Sequence, residues 1–162
     1  MSEISESKKQ DGENSMQGYN AILVYDFSDE QILFCHRVKE PYKGKYNFVG
    51  GKIEEMEDGS KEEGFASAYR ELYEETGITR ADIELFHLMD FTYYSKNFHL
   101  EIYAGRLIKE VTLVEEKNPL RWIDKNENFF DTTRFAGDGN IGHIVRVAED
   151  CGFGVRENER EK

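Results

Sequence analysis

The sequence predicts an α/β domain in which a mixed β-sheet is interrupted by two helices. Short runs rich in β-branched and aromatic residues are typical of strands, such as YNAILVYDF at residues 19–27 and FHLEIYAGRLI at 98–108. Two amphipathic stretches, at residues 60–76 and 140–150, carry apolar residues at helical spacing. Strands that alternate with helices in this way indicate an α/β architecture.

Local composition places the individual elements. The residues SDE separate the first two strands, and Pro41 and Gly44 mark a loop at residues 40–47. Gly77 is positioned to cap the end of the first helix. The predicted order is two strands at 19–27 and 31–38, an apolar run at 48–53, a helix at 60–76, strands at 83–95, 98–108 and 119–123, and a helix at 140–150.

Length, composition and charge restrict the functional class. The 162 residues suit one folded domain, which we expect at residues 18–155 between a flexible polar tail at 1–17 and a charged tail at 156–162. The net charge of -12 argues against a nucleic-acid partner, because phosphate backbones bind basic surfaces. No run has the apolar length of a membrane span or a signal peptide, and Cys35 and Cys151 are expected to be reduced thiols. These features predict a cytoplasmic protein without a membrane partner.

The first predicted helix carries an unusual acidic stripe. At about 100° per residue, Glu71, Glu74 and Glu75 share one sector beside the apolar face. A solvated acidic face is the ordinary interpretation of such a cluster, but it normally mixes charges of both signs, whereas Glu71 and Glu75 repel each other at a spacing of four residues. Carboxylates at this spacing can converge on a hard cation such as Mg²⁺. The stripe therefore predicts a metal site.

The stretch from Gly51 to Ile78 resembles the signature of the Nudix hydrolases, G-x5-E-x7-R-E-U-x-E-E-x-G-U, in which U is aliphatic. The run RELYEETGI at residues 70–78 matches the second half of that signature without a gap. The resemblance implies a Nudix-type α/β/α sandwich, a divalent metal, and hydrolysis of a nucleoside diphosphate linked to another group. The partner that it implies is a small nucleotide, bound by a monomer or a homodimer.

The chain departs from the signature before its first glutamate. Ten residues separate Gly51 from Glu62, where the signature has five, although the seven residues between Glu62 and Arg70 fit. Glu57 has the correct spacing from Gly51, but twelve residues separate it from Arg70. We favour Glu62 and interpret the extra residues as a loop insertion, which costs little closure entropy. Glu62 is then either a metal ligand or an acid at the start of the helix.

The resemblance also implies roles for individual residues. Glu71, Glu74 and Glu75 would hold Mg²⁺, with Mn²⁺ as an alternative ion, and Arg70 would orient a glutamate through a salt bridge. Gly51 would let the backbone approach the metal and the phosphates. A general base outside the helix varies in position within the family. Glu115 and Glu116 are candidates here, and solvated loop acids are the equally favoured alternative.

Two further stretches are similar to the branch that hydrolyses oxidised purine nucleoside triphosphates such as 8-oxo-dGTP. KYNFVGGK resembles RWNGFGGK and places Asn47 at the purine edge, although Asn47 also suits a strand-end turn. In the Gly-rich turn before the last helix, Asp138 either accepts hydrogen bonds from the purine or caps the helix. Arg37 and Lys52 either offset the charge of a triphosphate or are solvated cations.

Other functions remain open at this point. The leading hypothesis is a nucleoside triphosphate pyrophosphohydrolase, and the enzymatic alternative is a pyrophosphatase for ADP-ribose or a nucleotide sugar. A non-catalytic binding module would be expected to have lost Glu74 or Glu75, and both are present. RNA decapping is disfavoured by the negative net charge.

Overall fold

The structure, a computed structural model, describes residues 16–155. The predicted tails at 1–17 and 156–162 lie outside the described residues, apart from Met16 and Gln17. In chain order the elements are β1 (Gln17–Tyr25), β2 (Gln31–His36), β3 (Tyr46–Asn47), β4 (Val49–Lys52), α1 (Gly64–Thr76), β5 (Phe86–Tyr93), β6 (Phe98–Arg106), β7 (Leu120–Asp124) and α2 (Asn140–Asp150).

The seven strands form one mixed sheet. Its main path runs β3-β2-β1-β6-β5, with β4 paired to β1 and β7 paired to β2. The central pair β1 and β6 is parallel, and every other pairing is antiparallel. The first half of β1 pairs with β4, whereas its last residue, Tyr25, pairs with β2. The sheet therefore splays between β2 and β4, and this opening positions the site.

Each face of the sheet is covered by one helix. Because side chains alternate along β1, Ile22 and Val24 pack with Ala68 and Leu72 of α1, whereas Leu23 packs on the opposite face. That opposite face is covered by α2 through a second apolar cluster, which includes Ile141, Ile144, Val145 and Ala148. The α/β/α sandwich with a mixed sheet is thus confirmed.

The first helix begins later than predicted, at Gly64 instead of residue 60. The preceding residues form a small hairpin-like excursion in which Glu55 bridges Lys61 and the Glu62 amide donates to the Glu54 carbonyl at 2.8 Å. The Glu63 side chain then caps the helix by accepting hydrogen bonds from the amides of Phe65 and Ala66. The sequence predicted that the helix would already include residues 60–63. In the structure, the backbone groups of Lys61 and Glu62 pair with Glu55 and Glu54, so they are not available to a helix.

The structure also bears on several smaller predictions from the sequence. Gly77 has a left-handed conformation (φ 79°), and its amide donates to the Tyr73 carbonyl as a helix cap. The predicted loop at 40–47 ends in β3, because Tyr46 and Asn47 pair with β2. Both cysteines are free thiols. Neither helix within residues 16–155 is long and apolar enough to cross a membrane.

Candidate active site

Two consecutive glycines bring β4 against the acidic helix. The Gly50 amide donates to the Glu75 carboxylate at 3.3 Å, and the Gly51 amide donates to Asn20 Oδ1 at 3.1 Å. A methyl group at Gly51 would collide with the Glu71 carboxylate, and one at Gly50 would collide with the backbone at Asn20. Gly51 therefore lets the backbone of β4 come close to the Glu71 carboxylate, whereas its approach to a metal and to phosphates stays a prediction.

The Gly51→Ala substitution tests this steric argument. We expect Mg²⁺ affinity to fall at least tenfold, because the added methyl displaces the Glu71 carboxylate, whereas stability should fall by only about 1–3 kcal/mol. Isothermal titration with Mg²⁺ and thermal unfolding measure the two effects. Gly59→Ala is the control, since a methyl there meets open space and the strain of its positive φ affects stability alone. Unchanged Mg²⁺ affinity in Gly51→Ala would contradict the argument.

The helix holds two acids at the edge of the core in an unfavourable electrostatic state. Burial, reinforced by the charge of Glu71, raises the pKa of Glu75 to about 7, although the Gly50 amide opposes the shift. Burial also raises the pKa of Glu71, against the charge of Arg70. A proton or a metal ion would relieve the repulsion between these half-buried carboxylates.

Arg70 binds the acids around it in one network. Its Nε and Nη2 atoms donate to the two Glu62 oxygens at 2.8 and 2.9 Å, and its Nη1 donates to Glu71 and Glu74, each at 3.1 Å. Nη2 also donates to the Lys52 carbonyl at 3.2 Å, which ties the helix to the end of β4.

This network distinguishes Glu62 from Glu57 as the glutamate before the helix that interacts with Arg70. Hydrogen bonds from Arg70 lower the pKa of Glu62, which keeps that carboxylate ionised as the partner of Arg70. Glu57 is exposed on the inserted excursion. Of the two candidates, Glu62, which the spacing favours, is therefore the one that contacts Arg70, whereas its role as a metal ligand stays a prediction.

Two carboxylates of the acidic helix could serve as ligands for a divalent ion. Within residues 16–155, no three acidic, histidine or cysteine side chains are already gathered closely enough to hold a metal. Mg²⁺, however, is commonly held by one or two carboxylates together with substrate phosphates and waters. Glu71 and Glu75 supply two hard, desolvated oxygen donors beside a glycine pair that leaves space. Glu74 is more exposed and faces Arg70.

A deep cavity of about 590 Å³ opens on one side of Glu75, at the splayed edge of the sheet. Its wall is aromatic: the rings of Tyr93 and Phe98 stack at 4.5 Å, and Tyr19 meets Phe98 edge-on at 5.7 Å. Four of the five predicted substrate residues, Arg37, Asn47, Gly51 and Lys52, line this cavity, together with Gly50.

Asp138 does not line this cavity; it is exposed and lies beside the Tyr42 hydroxyl. Gly139, not Asp138, is the N-cap of α2. The polar residue that the same turn directs into the cavity is Asn140, whose Nδ2 donates to the Tyr93 hydroxyl at 2.7 Å. Sequence reasoning missed Asn140, although its place at the start of an amphipathic helix after a Gly-rich turn was a usable signal.

A second cavity, of about 500 Å³, lies on the other side of Glu75 and is lined by Glu71, Glu74, Glu116 and Lys117. The two general-base candidates separate here. Glu115 accepts a hydrogen bond from the Leu120 amide at 2.6 Å and so has a structural partner, whereas Glu116 faces the acids of the helix across the cavity.

Comparison with known proteins relates this geometry to a family. Residues 17–141 match the NUDIX domain. Among solved structures, the fold is similar to MutT from Aliivibrio salmonicida and Vibrio cholerae (TM-score 0.60, 19% identity, covering 83% of this chain and 98% of that one). It is also similar to the NUDIX domain of Shewanella oneidensis NrtR complexed with ADP ribose (TM-score 0.63, 14% identity, 84% and 88% covered). A third similar structure is an Ap4A hydrolase from C. elegans (TM-score 0.63, 14% identity, 83% and 99% covered).

None of the curated proteins matches this chain. The solved structures share less than a quarter of its residues and therefore establish the fold alone. The family match covers most of the described chain, from the start of β1 to the first turn of α2, and includes the whole acidic helix. The prediction drawn from the signature at residues 51–78 is thus confirmed: this chain belongs to the NUDIX family.

Proposed function

We propose that this chain is a Mg²⁺-dependent hydrolase that cleaves a nucleoside triphosphate to the monophosphate and pyrophosphate, with an oxidised purine nucleotide as its preferred substrate. The observation that carries the proposal is the position of Glu75, which lines both cavities. A ligand with its base in the aromatic cavity and its phosphates at Glu75 would bring its anhydride bonds to the acidic helix.

The polar groups of the deep cavity support a purine. Asn47 Oδ1 accepts from the Phe48 amide at 2.9 Å, which leaves the Asn47 amide nitrogen as a donor. Asn140 is oriented oppositely, because its nitrogen donates to Tyr93 and its carbonyl oxygen is left as an acceptor. One donor and one acceptor between aromatic walls complement a purine edge that carries a carbonyl and an N–H group.

The acidic helix supports the hydrolytic step. Bound Mg²⁺, held by Glu71 and Glu75 with Glu74 nearby, would polarise phosphate oxygens and lower the pKa of a water molecule. Arg70 keeps Glu71 and Glu74 oriented through its hydrogen bonds. Glu116 accepts a proton from the attacking water molecule. The oxygen of that water forms a bond to phosphorus as the bond between phosphorus and the leaving phosphate oxygen breaks.

A nucleotide panel with Mg²⁺ tests the substrate. We expect the highest kcat/KM for 8-oxo-dGTP, with pyrophosphate as the second product. Asn47→Ala and Asn140→Ala should each raise the KM for this compound roughly tenfold with little change in kcat, since each removes a hydrogen bond to the base worth about 1–2 kcal/mol. Asn97→Ala, in the exposed β5–β6 turn, is the control for general effects. Equal KM values in all four proteins would reject the assignment of the base site.

The second candidate is a pyrophosphatase for ADP-ribose. Two adjoining cavities of about 590 and 500 Å³ meet at Glu75 and would accommodate a ligand with a bulky group on each side of its diphosphate. The similar Shewanella oneidensis domain was solved with ADP ribose. Turnover of ADP-ribose to AMP, with no pyrophosphate from any triphosphate, would favour this candidate over the first.

A further inference from the structure

The segment between β6 and β7 is fixed over the last turn of the acidic helix. The Val114 amide donates to the Thr76 carbonyl at 2.9 Å, at the end of α1. Further along, Asn118 Oδ1 accepts from the Val38 amide at 3.2 Å, which attaches the segment to the chain that follows β2. These two hydrogen bonds, at Val114 and at Asn118, hold the residues between them in place. Lys117 therefore has a defined position and is not at the tip of a free loop.

Lys117 is the cation of the second cavity. It is the only basic side chain within residues 16–155 that lines this cavity, where the other charged groups are Glu71, Glu74, Glu75 and Glu116. It also lines the narrow crevice that joins Glu75 to Asn118. It shares the lining of this cavity with Glu71 and Glu75, yet it forms no ion pair within 4.0 Å among the described side chains.

The other cations near the site are already engaged or face elsewhere. Arg70 donates to three carboxylates. Arg37 lines the deep cavity, and its Nε donates to the Pro41 carbonyl at 3.2 Å. A phosphate group that enters the second cavity would meet four carboxylates and one ammonium group, and a Lys ammonium is an effective point charge for phosphate.

We propose that Lys117 binds the terminal phosphates of the substrate and then the pyrophosphate product. The assignment rests on the proposed function, and it adds a direction: the nucleoside occupies the deep aromatic cavity, and the leaving group occupies the acidic cavity across Glu75. Lys117 thereby selects triphosphates, because a nucleoside monophosphate does not reach across Glu75.

Titration calorimetry with inorganic pyrophosphate in the presence of Mg²⁺ tests the site without any nucleotide. We expect Lys117→Met to weaken pyrophosphate binding roughly tenfold or more, and Lys117→Arg to restore most of it, since a charge-assisted hydrogen bond to phosphate is retained. Binding of a nucleoside monophosphate should change less than twofold. Lys96→Met, which removes an exposed lysine that lines neither cavity, is the matched control.

Steady-state kinetics supply the second measurement. Lys117→Met should raise the KM for the triphosphate and the inhibition constant of pyrophosphate by the same factor. Unchanged pyrophosphate affinity, or an equal loss of monophosphate affinity, would overturn the inference even in an active triphosphatase. Conversely, if the nucleotide panel gave no triphosphate turnover but Lys117→Met still weakened pyrophosphate binding, the proposed reaction would fail and the anion site would stand.

Discussion

The Glu75→Gln variant is expected to lose at least a hundredfold in kcat and yet to be more stable than the wild type at pH 8 in the absence of divalent metal. The loss of activity follows from removing a charge that is proposed to hold the metal, since metal ions supply several kcal/mol of stabilisation in such transition states. The gain in stability follows from burial, because the carboxyl group with a pKa of about 7 must be ionised at pH 8 in a desolvated position.

The pH dependence has a defined direction. The pKa of the Glu75 carboxyl is higher in the folded state than in the unfolded state, so protonation of this group stabilises the folded state. This stabilisation is complete below about pH 4.5 and is lost as the pH rises through about 7. The wild type should therefore lose up to about 3 kcal/mol of stability relative to Glu75→Gln over this range. At the proposed site Mg²⁺ would take the place of the proton, so stabilisation of the wild type by Mg²⁺ should grow with pH.

Urea unfolding at pH 5 and pH 8, with and without Mg²⁺, measures these differences. Glu74→Gln is the matched control, because the Glu74 side chain is 55% exposed and its replacement should give little gain in stability. The burial argument predicts a pH-dependent difference from wild type for Glu75→Gln and none for Glu74→Gln. Parallel stability profiles for wild type and Glu75→Gln would contradict it, and full activity of Glu75→Gln would contradict the metal site.

The Arg70→Met variant is expected to lose about 2–3 kcal/mol of stability and most of its activity. Arg70 is 24% exposed and Glu62 is 13% exposed, so their bidentate pair is largely sheltered from water. Removing the guanidinium leaves Glu62, Glu71 and Glu74 as neighbouring acids without their common cation, and breaking a buried pair costs more than the pair itself contributes. Partial exposure reduces the effect below that of a fully buried pair.

A double-mutant cycle separates pairing from packing. Glu62→Gln in the Arg70→Met background should recover at least about 1 kcal/mol, because it removes the stranded charge, whereas alone it should destabilise the protein. Arg70→Lys should fall between wild type and Arg70→Met, since an ammonium group cannot form the bidentate contact. Additive effects of the two substitutions, measured by chemical unfolding, would show that Glu62 and Arg70 are not coupled.

Local pattern was sufficient for the helices and for the acids of α1. The 3.6-residue period places Glu71, Glu74 and Glu75 on one sector in any chain that forms this helix, and Gly77 ends the helix through its own conformational freedom. The start of the helix was wrong by four residues, because the backbone bridge between Glu55 and Lys61 depends on a turn that composition does not reveal.

By itself, the sequence determined the α/β class, the helix that carries the acids and the family, because all three depend on short-range spacing. Only the tertiary structure decided which residues from distant parts of the chain meet at the acidic helix and in the two cavities beside it. The splay between β2 and β4 brings Asn47 and Asn140 into one cavity and leaves Asp138 in solvent. The segment that crosses the end of α1 brings Lys117 to the acids. Such contacts join residues far apart in the chain, and their geometry is set by sheet pairing and core packing, which no local pattern encodes.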